Sequence, residues 1–192
     1  VLGRYFKHLL PNYAVFDEAR YFLPGSDPLV IEIDGCHFGV LICEDAWQPG
    51  PAAKAKAAGA DVLLIPNASP YRDDKQADRD AVFARRCEDT HLPMVYCNLV
   101  GGQDELVFDG RSVLIAGDGR RQGQGPLCAE ALLLADFDPS SGDFIPHEWP
   151  APPRVHEAEL YEVLLTGLRD YVRKNGFREV VFGLSGGIDS AL

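Results

Sequence analysis

The chain has 192 residues, 46% of them hydrophobic, which suits one globular domain or a little more around a real core. A net charge of −11 argues against nonspecific nucleic-acid binding through a basic surface. The five cysteines are odd in number, scattered and without a Cys-x-x-Cys pair, which argues against zinc and fits a reducing cytoplasm; no apolar run approaches membrane-spanning length.

In chain order, the first strong signal is a pair of apolar runs, 30–33 and 38–42, separated by Asp34-Gly35; this predicts a β-hairpin. Residues 51–59 are rich in Ala and Lys and predict a short helix closed by Gly59. A buried strand over 62–65 ends at Pro66-Asn67, and 73–91 has helical composition. Residues 94–100 predict a strand ending in Gly101-Gly102, with further strands at 112–116 and 131–135. Strands alternating with helices predict an α/β layered fold. Residues 138–154 then hold five prolines and predict an interdomain linker, 138–156. Leu160, Val163, Leu164, Leu168, Tyr171 and Val172 recur at helical spacing, and 177–184 reads as a buried strand. The expected division is 1–137, a linker over 138–156, and the first helix and strand of a second domain over 157–192. Because Val1 is no initiator Met, the chain is expected to be a piece of a longer polypeptide.

Two segments carry chemistry. The strand over 39–42 stops at Cys43, with Glu44, Asp45 and Trp47 directly after it. Strand ends present reactive groups from rigid elements. A free thiol has a pKa of about 8.5 and needs a basic or positive neighbour to act as a nucleophile at neutral pH. The flanking acids would oppose that, so a catalytic Cys43 requires a nearby lysine; the other reading is a buried structural cysteine. The second segment runs Ser185-Gly186-Gly187-Ile188-Asp189-Ser190, at the end of the last apolar run. Paired glycines let backbone N–H groups converge on phosphate oxygens, serines add hydroxyl donors, and Asp189 offers a carboxylate to magnesium. The alternative is an ordinary strand-to-helix turn.

The Ser-Gly-Gly segment resembles the phosphate loop of the N-type ATP pyrophosphatases, which cleave ATP to AMP and pyrophosphate while adenylating a substrate. Lys7, followed by Leu10-Pro11-Asn12-Tyr13 and Phe16-Asp17-Glu18, together with Cys43, resembles the lysine and cysteine motifs of the nitrilase superfamily, amidases built on a Glu–Lys–Cys triad. Asn67-Ala68-Ser69-Pro70 and the segment from Gly101 to Gly110 extend the likeness to one subgroup, the glutamine-dependent NAD synthetase family. The resemblance implies a nitrilase-type α-β-β-α sandwich, truncated at its N-terminus, then a linker and the first helix and strand of an ATP-pyrophosphatase α/β domain. It makes Cys43 the nucleophile and Lys7 the oxyanion-stabilising group. Tyr13, Glu44, Ser69 and Lys75 match glutamine-binding positions. Gly183, Leu184, Ser185, Gly186, Gly187, Ile188, Asp189 and Ser190 match the ATP loop, and no protein-held metal site is assigned. Glu18 matches the supporting glutamate of nitrilases or is a surface acid.

The implied substrates are glutamine, ATP with magnesium, and deamido-NAD. The implied setting is a cytoplasmic homo-oligomer without nucleic-acid or membrane partners. The family's general-base glutamate precedes the lysine, and none of residues 1–6 is glutamate. The 192 residues alone are therefore expected to be inactive. A stand-alone amidase or carbamoylase and a non-catalytic fragment remain the alternative readings.

Overall fold

The computed structural model describes residues 2–149 and 155–191. Two strands, β1 (Leu29–Ile33) and β2 (Cys36–Val40), form the expected hairpin. Its two-residue turn has positive φ at both Asp34 and Gly35, the conformation that matches the twist of the flanking strands. The chain then crosses through α1 (Pro49–Ala57) to β3 (Val62–Asn67), and through α2 (Lys75–Thr90) to β4 (Met94–Asn98). Strands β2, β3 and β4 run parallel and in register, so that Asn67 and Asn98 stand side by side at their ends. β7 (Val113–Ile115) and β8 (Arg121–Gln124) add antiparallel to complete a six-stranded sheet of order β1-β2-β3-β4-β7-β8.

Side-chain alternation builds two cores from one sheet. Leu63, Ile65, Met94, Tyr96, Val113 and Ile115 face the helices, where Ala52, Ala55, Phe83 and Cys87 cover them. Val62, Leu64, Val95 and Leu114 face the other way. They meet Phe137 and Phe144 from the antiparallel pair β9 (Leu134–Asp138) and β10 (Asp143–His147), and Trp149 just after it. Between β4 and β7 the chain makes a separate hairpin, β5 (Val100–Gln103) with β6 (Leu106–Asp109). Helix α3 (His156–Lys174) lies across that hairpin, and a single turn, α4 (Ile188–Ala191), closes the described chain.

Two sequence readings are corrected here. The stretch read as a linker over 138–156 contains β10, which pairs with β9 along five residues; Pro146 is accommodated because β10 has a free edge. Residues 150–154 of that stretch lie outside the described residues. The strand expected over 177–184 is not formed. Val181 is 98% exposed and Phe182 74%, because no neighbouring strand among the described residues offers hydrogen-bond partners or cover. The preceding helix, by contrast, is held firmly. Asp170 accepts from the Gly102 N–H at 2.8 Å, Lys174 donates to the Gly102 carbonyl at 2.6 Å, and Arg111 pairs with Glu159.

Candidate active site

The carboxyl ends of β2, β3 and β4 point to one side, the place where open parallel sheets present their sites. Cys43 begins a short 3-10 turn, Cys43–Ala46, just past β2. Its φ is +46°, a left-handed conformation that costs a non-glycine residue about 1–3 kcal/mol and persists only where the surroundings enforce it. After β3, the chain turns through Ala68, Ser69 and Pro70. The Ala68 backbone amide stands near enough to the Cys43 sulfur to favour its thiolate. Ser69 is buried and fixed from three sides: its N–H donates to Asn98 Oδ1 at 2.9 Å, and Arg79 Nη2 donates to its carbonyl at 2.9 Å and to Oγ at 3.3 Å. Arg79 in turn forks onto Asp109 with two 2.8 Å contacts, both side chains buried.

The residues before β1 form no helix or strand up to Asp17, yet they cross directly over the Cys43 turn. Lys7 Nζ donates to both oxygens of Glu18, at 2.7 and 2.6 Å. Glu18 is thus held against Lys7 rather than free at the surface. Tyr13 donates from its hydroxyl to Glu44 Oε2 at 2.7 Å. Burial and this Glu44 contact push the Tyr13 phenol up to about 12, so it stays a donor at neutral pH.

Cys43, Tyr13, Glu44, Ser69 and Lys75 line one cavity of about 220 Å³, shared with Trp47, Arg72 and Leu106. That volume is below the roughly 300 Å³ where drug-sized pockets begin, and it suits a ligand of amino-acid size. Carboxylate (Glu44), cation (Lys75, Arg72) and thiol stand around it. The Lys75 ammonium sits 4.0 Å over the Trp47 ring, and burial with the nearby Arg72 guanidinium holds its pKa below the usual lysine range.

Lys7 is not on the cavity wall. It stands close enough that its charge is the largest influence lowering the Cys43 pKa. Burial outweighs it and pushes the thiol up overall, with Glu44 and Glu18 adding to the rise. The expectation that Asp45 would oppose the thiolate is corrected. Asp45 is turned into the protein, and the carboxylates that chiefly raise the thiol are Glu44 and Glu18. Sequence reasoning missed Arg79, Asp109 and Asn98 as supports of the site. The one available signal was Arg79 itself, four residues before Phe83 on the apolar face of α2.

The eight residues from Gly183 to Ser190 lie apart from this cavity and are largely exposed. Ser185 and Ser190 share a hydroxyl contact at 2.9 Å, and Gly186 has φ +84°. A Cβ at Gly183 or Gly186 would meet nothing within 4 Å, so this loop stands open to solvent. No three His, Cys, Asp or Glu residues converge among the described residues, and Asp189 alone does not build a magnesium site.

A mixed sheet with helices on one face, carrying a strained strand-end cysteine beside a lysine–glutamate pair, defines a class of α/β protein built around a cysteine-bearing turn. The chain belongs to the carbon–nitrogen hydrolase family, whose profile matches residues 1–146; the NAD synthase profile matches 160–192. The chain is 47% identical over 191 residues to the glutamine-dependent NAD(+) synthetase of Xylella fastidiosa (strain 9a5c), covering 98% of this chain and 35% of that protein. It is 42% identical to the Thermotoga maritima protein of the same name, covering 39% of it. The chain thus spans little more than a third of the length of these relatives. It superposes with TM-score 0.92 and 44% identity on the glutamine-dependent NAD+ synthetase of Acinetobacter baumannii solved with adenosine diphosphate, over all of this chain and 36% of that one. An amidase of Nesterenkonia sp. AN1, solved with acrylamide added at its active-site cysteine, matches at TM-score 0.55 and 29% identity over 62% of this chain and 45% of that one.

Proposed function

We propose that this chain carries the glutamine-hydrolysing site of a glutamine-dependent NAD synthetase, together with the start of its ATP-using domain. The observation that carries the reading is Cys43, held in a left-handed conformation in a cavity of amino-acid size, with Lys7 close enough to act on its thiol. Tyr13, Glu44, Ser69 and Lys75 on the same wall support glutamine as the ligand. Glu44 would take the α-ammonium and Lys75 the α-carboxylate. The division is proposed as a glutaminase portion over 1–137 that β10 extends, a connection within the remainder of 138–156, and a synthetase portion over 157–192.

In this mechanism the Cys43 thiolate attacks the side-chain amide carbon of glutamine, and negative charge develops on the carbonyl oxygen. Lys7 stabilises that charge; loss of one such donor costs on the order of 10²–10³ in rate. The thiol proton passes through a general base to the leaving nitrogen, so ammonia departs as the thioester forms. Water then cleaves the thioester to release glutamate and restore the thiol. The resemblance assigns the base to a glutamate preceding the lysine. Glu44 and Glu18 are engaged with Tyr13 and Lys7 and are not given that role. Ammonia would be consumed at a second site, where ATP adenylates deamido-NAD and ammonia displaces AMP to give NAD. The Gly183–Ser190 loop would hold the ATP phosphates, with magnesium supplied alongside the nucleotide. A cytoplasmic homo-oligomer is the proposed setting, consistent with five free thiols.

The test is Cys43→Ala in the intact protein. Synthesis of NAD from glutamine should vanish, while synthesis from added ammonium chloride should persist. Loss of both activities in a folded variant would sink the split-site reading.

A further inference from the structure

We infer that Asp45 is a positioning residue, whose buried carboxylate fastens the segment bearing Lys7 onto the turn bearing Cys43. The inference rests on the proposed pairing of those two residues.

Asp45 is 0% exposed, and four donors converge on it. His8 N–H and Leu9 N–H reach Oδ1 at 3.1 and 2.8 Å. The Tyr5 hydroxyl reaches Oδ2 at 2.9 Å, and Ile42 N–H, at the start of the cysteine turn, reaches Oδ2 at 3.2 Å. The tie therefore brackets Lys7 on both sides and ends two residues from Cys43. The other bonds of residues 5–9 stay within the region before β1: Lys7 with Glu18, Gly25 N–H to the Lys7 carbonyl, and His8 with the Asp27 carbonyl. Among the described residues, every hydrogen bond from 5–9 to the sheet side of the molecule ends on Asp45.

This segment has no helix or strand of its own to fix where Lys7 stands. Its geometry relative to the thiol is set through one carboxylate. A buried carboxylate with four donors is stable only as a complete set, since removing it strands the donors. Burial and the Asp45 contact raise the Tyr5 phenol well above its ordinary range, so it remains a donor across the working pH range.

The role has a readout that simple destabilisation would not move. The charges that bear most on the Cys43 thiol are Lys7, Glu44 and Glu18, and the thiol is felt in turn by Tyr13, Lys75 and Tyr96. Removing a nearby negative charge would lower a thiol pKa, whereas releasing Lys7 from the thiol would raise it. The two effects have opposite signs.

The experiment follows the rate of Cys43 alkylation by iodoacetamide against pH in the intact protein, with the modified peptide quantified by mass spectrometry. Asp45→Ala should move the midpoint upward by about one pH unit, slowing alkylation at neutral pH about tenfold, and Lys7→Ala should do the same. The double variant should shift no further than Lys7→Ala alone. Tyr5→Phe, which removes one donor and leaves the carboxylate, keeps the test available if Asp45→Ala does not fold; it should shift in the same direction by less. A downward or absent shift in folded Asp45→Ala, or in Tyr5→Phe where only that variant folds, would overturn the inference. So would a Lys7→Ala profile that stays in place. Alkylation needs no glutamine, so failure of the glutamine-driven assay would remove the functional reading while leaving this result standing.

Discussion

At Cys43 burial and Lys7 act in opposite directions, and burial wins. Alkylation of Cys43 in the unmodified protein should therefore rise with pH to a midpoint above that of an ordinary thiol, which a pH series of alkylation rates will measure. Below that midpoint, Lys7 sets how much thiolate is present. The buried pair Arg79–Asp109 works differently: it holds Ser69 on the cavity wall and carries no exposed charge. Asp109→Ala leaves a guanidinium buried without its counter-ion and should cost about 3–5 kcal/mol, read from the urea midpoint at unchanged slope. At this scale the sequence was legible only where residue type carried chemistry. Motif resemblance singled out Cys43, Tyr13, Glu44, Ser69 and Lys75, which the fold brings to one cavity, and Lys7, which lies off its wall. Asp45 and Asp109 were not singled out, because a carboxylate's partners lie 30 to 40 residues away and composition says nothing of them.

Among the elements, the three parallel strands were the most readable, since β2, β3 and β4 are short apolar runs closed by polar or turn residues. The β9–β10 pair was half missed because Pro146 reads as a breaker until the strand is known to have a free edge. The run over 177–184 shows the converse. Apolar composition signals a need for burial but does not supply the partner. The joint between α3 and the β5–β6 hairpin was invisible in the sequence because it depends on small residues: a Cβ at Gly102 would lie 3.0 Å from the Gly167 Cα and 3.2 Å from the Asp170 Cβ. Gly102→Val should lift α3 from the hairpin at a cost of about 1–3 kcal/mol. Hydrogen exchange will check this: amides of α3 should lose protection while those of β3 and β4 keep theirs. Equal loss in both would mean that the helix and the sheet unfold as one unit.

For the molecule as a whole, the hairpin under α3 also contributes to the cysteine cavity, through Leu106 and through the Tyr71 N–H bonded to the Val107 carbonyl at 2.7 Å. The helix matched by the NAD synthase profile is thus packed on an element that borders the site matched by the carbon–nitrogen hydrolase profile. Order along the chain made the two motifs legible; their physical link through Gly102 and Gly167 emerged only from packing. The central claim is that Cys43, among five free cysteines, is the nucleophile toward glutamine. The most direct measurement is to treat the intact protein with a glutamine-shaped diazoketone, follow loss of glutamate release, and map the adduct by peptide mass spectrometry. The account predicts one adduct, on Cys43, formed in step with inactivation and slowed by excess glutamine. Inactivation with Cys43 unmodified, or an adduct on the exposed Cys97 instead, would contradict it.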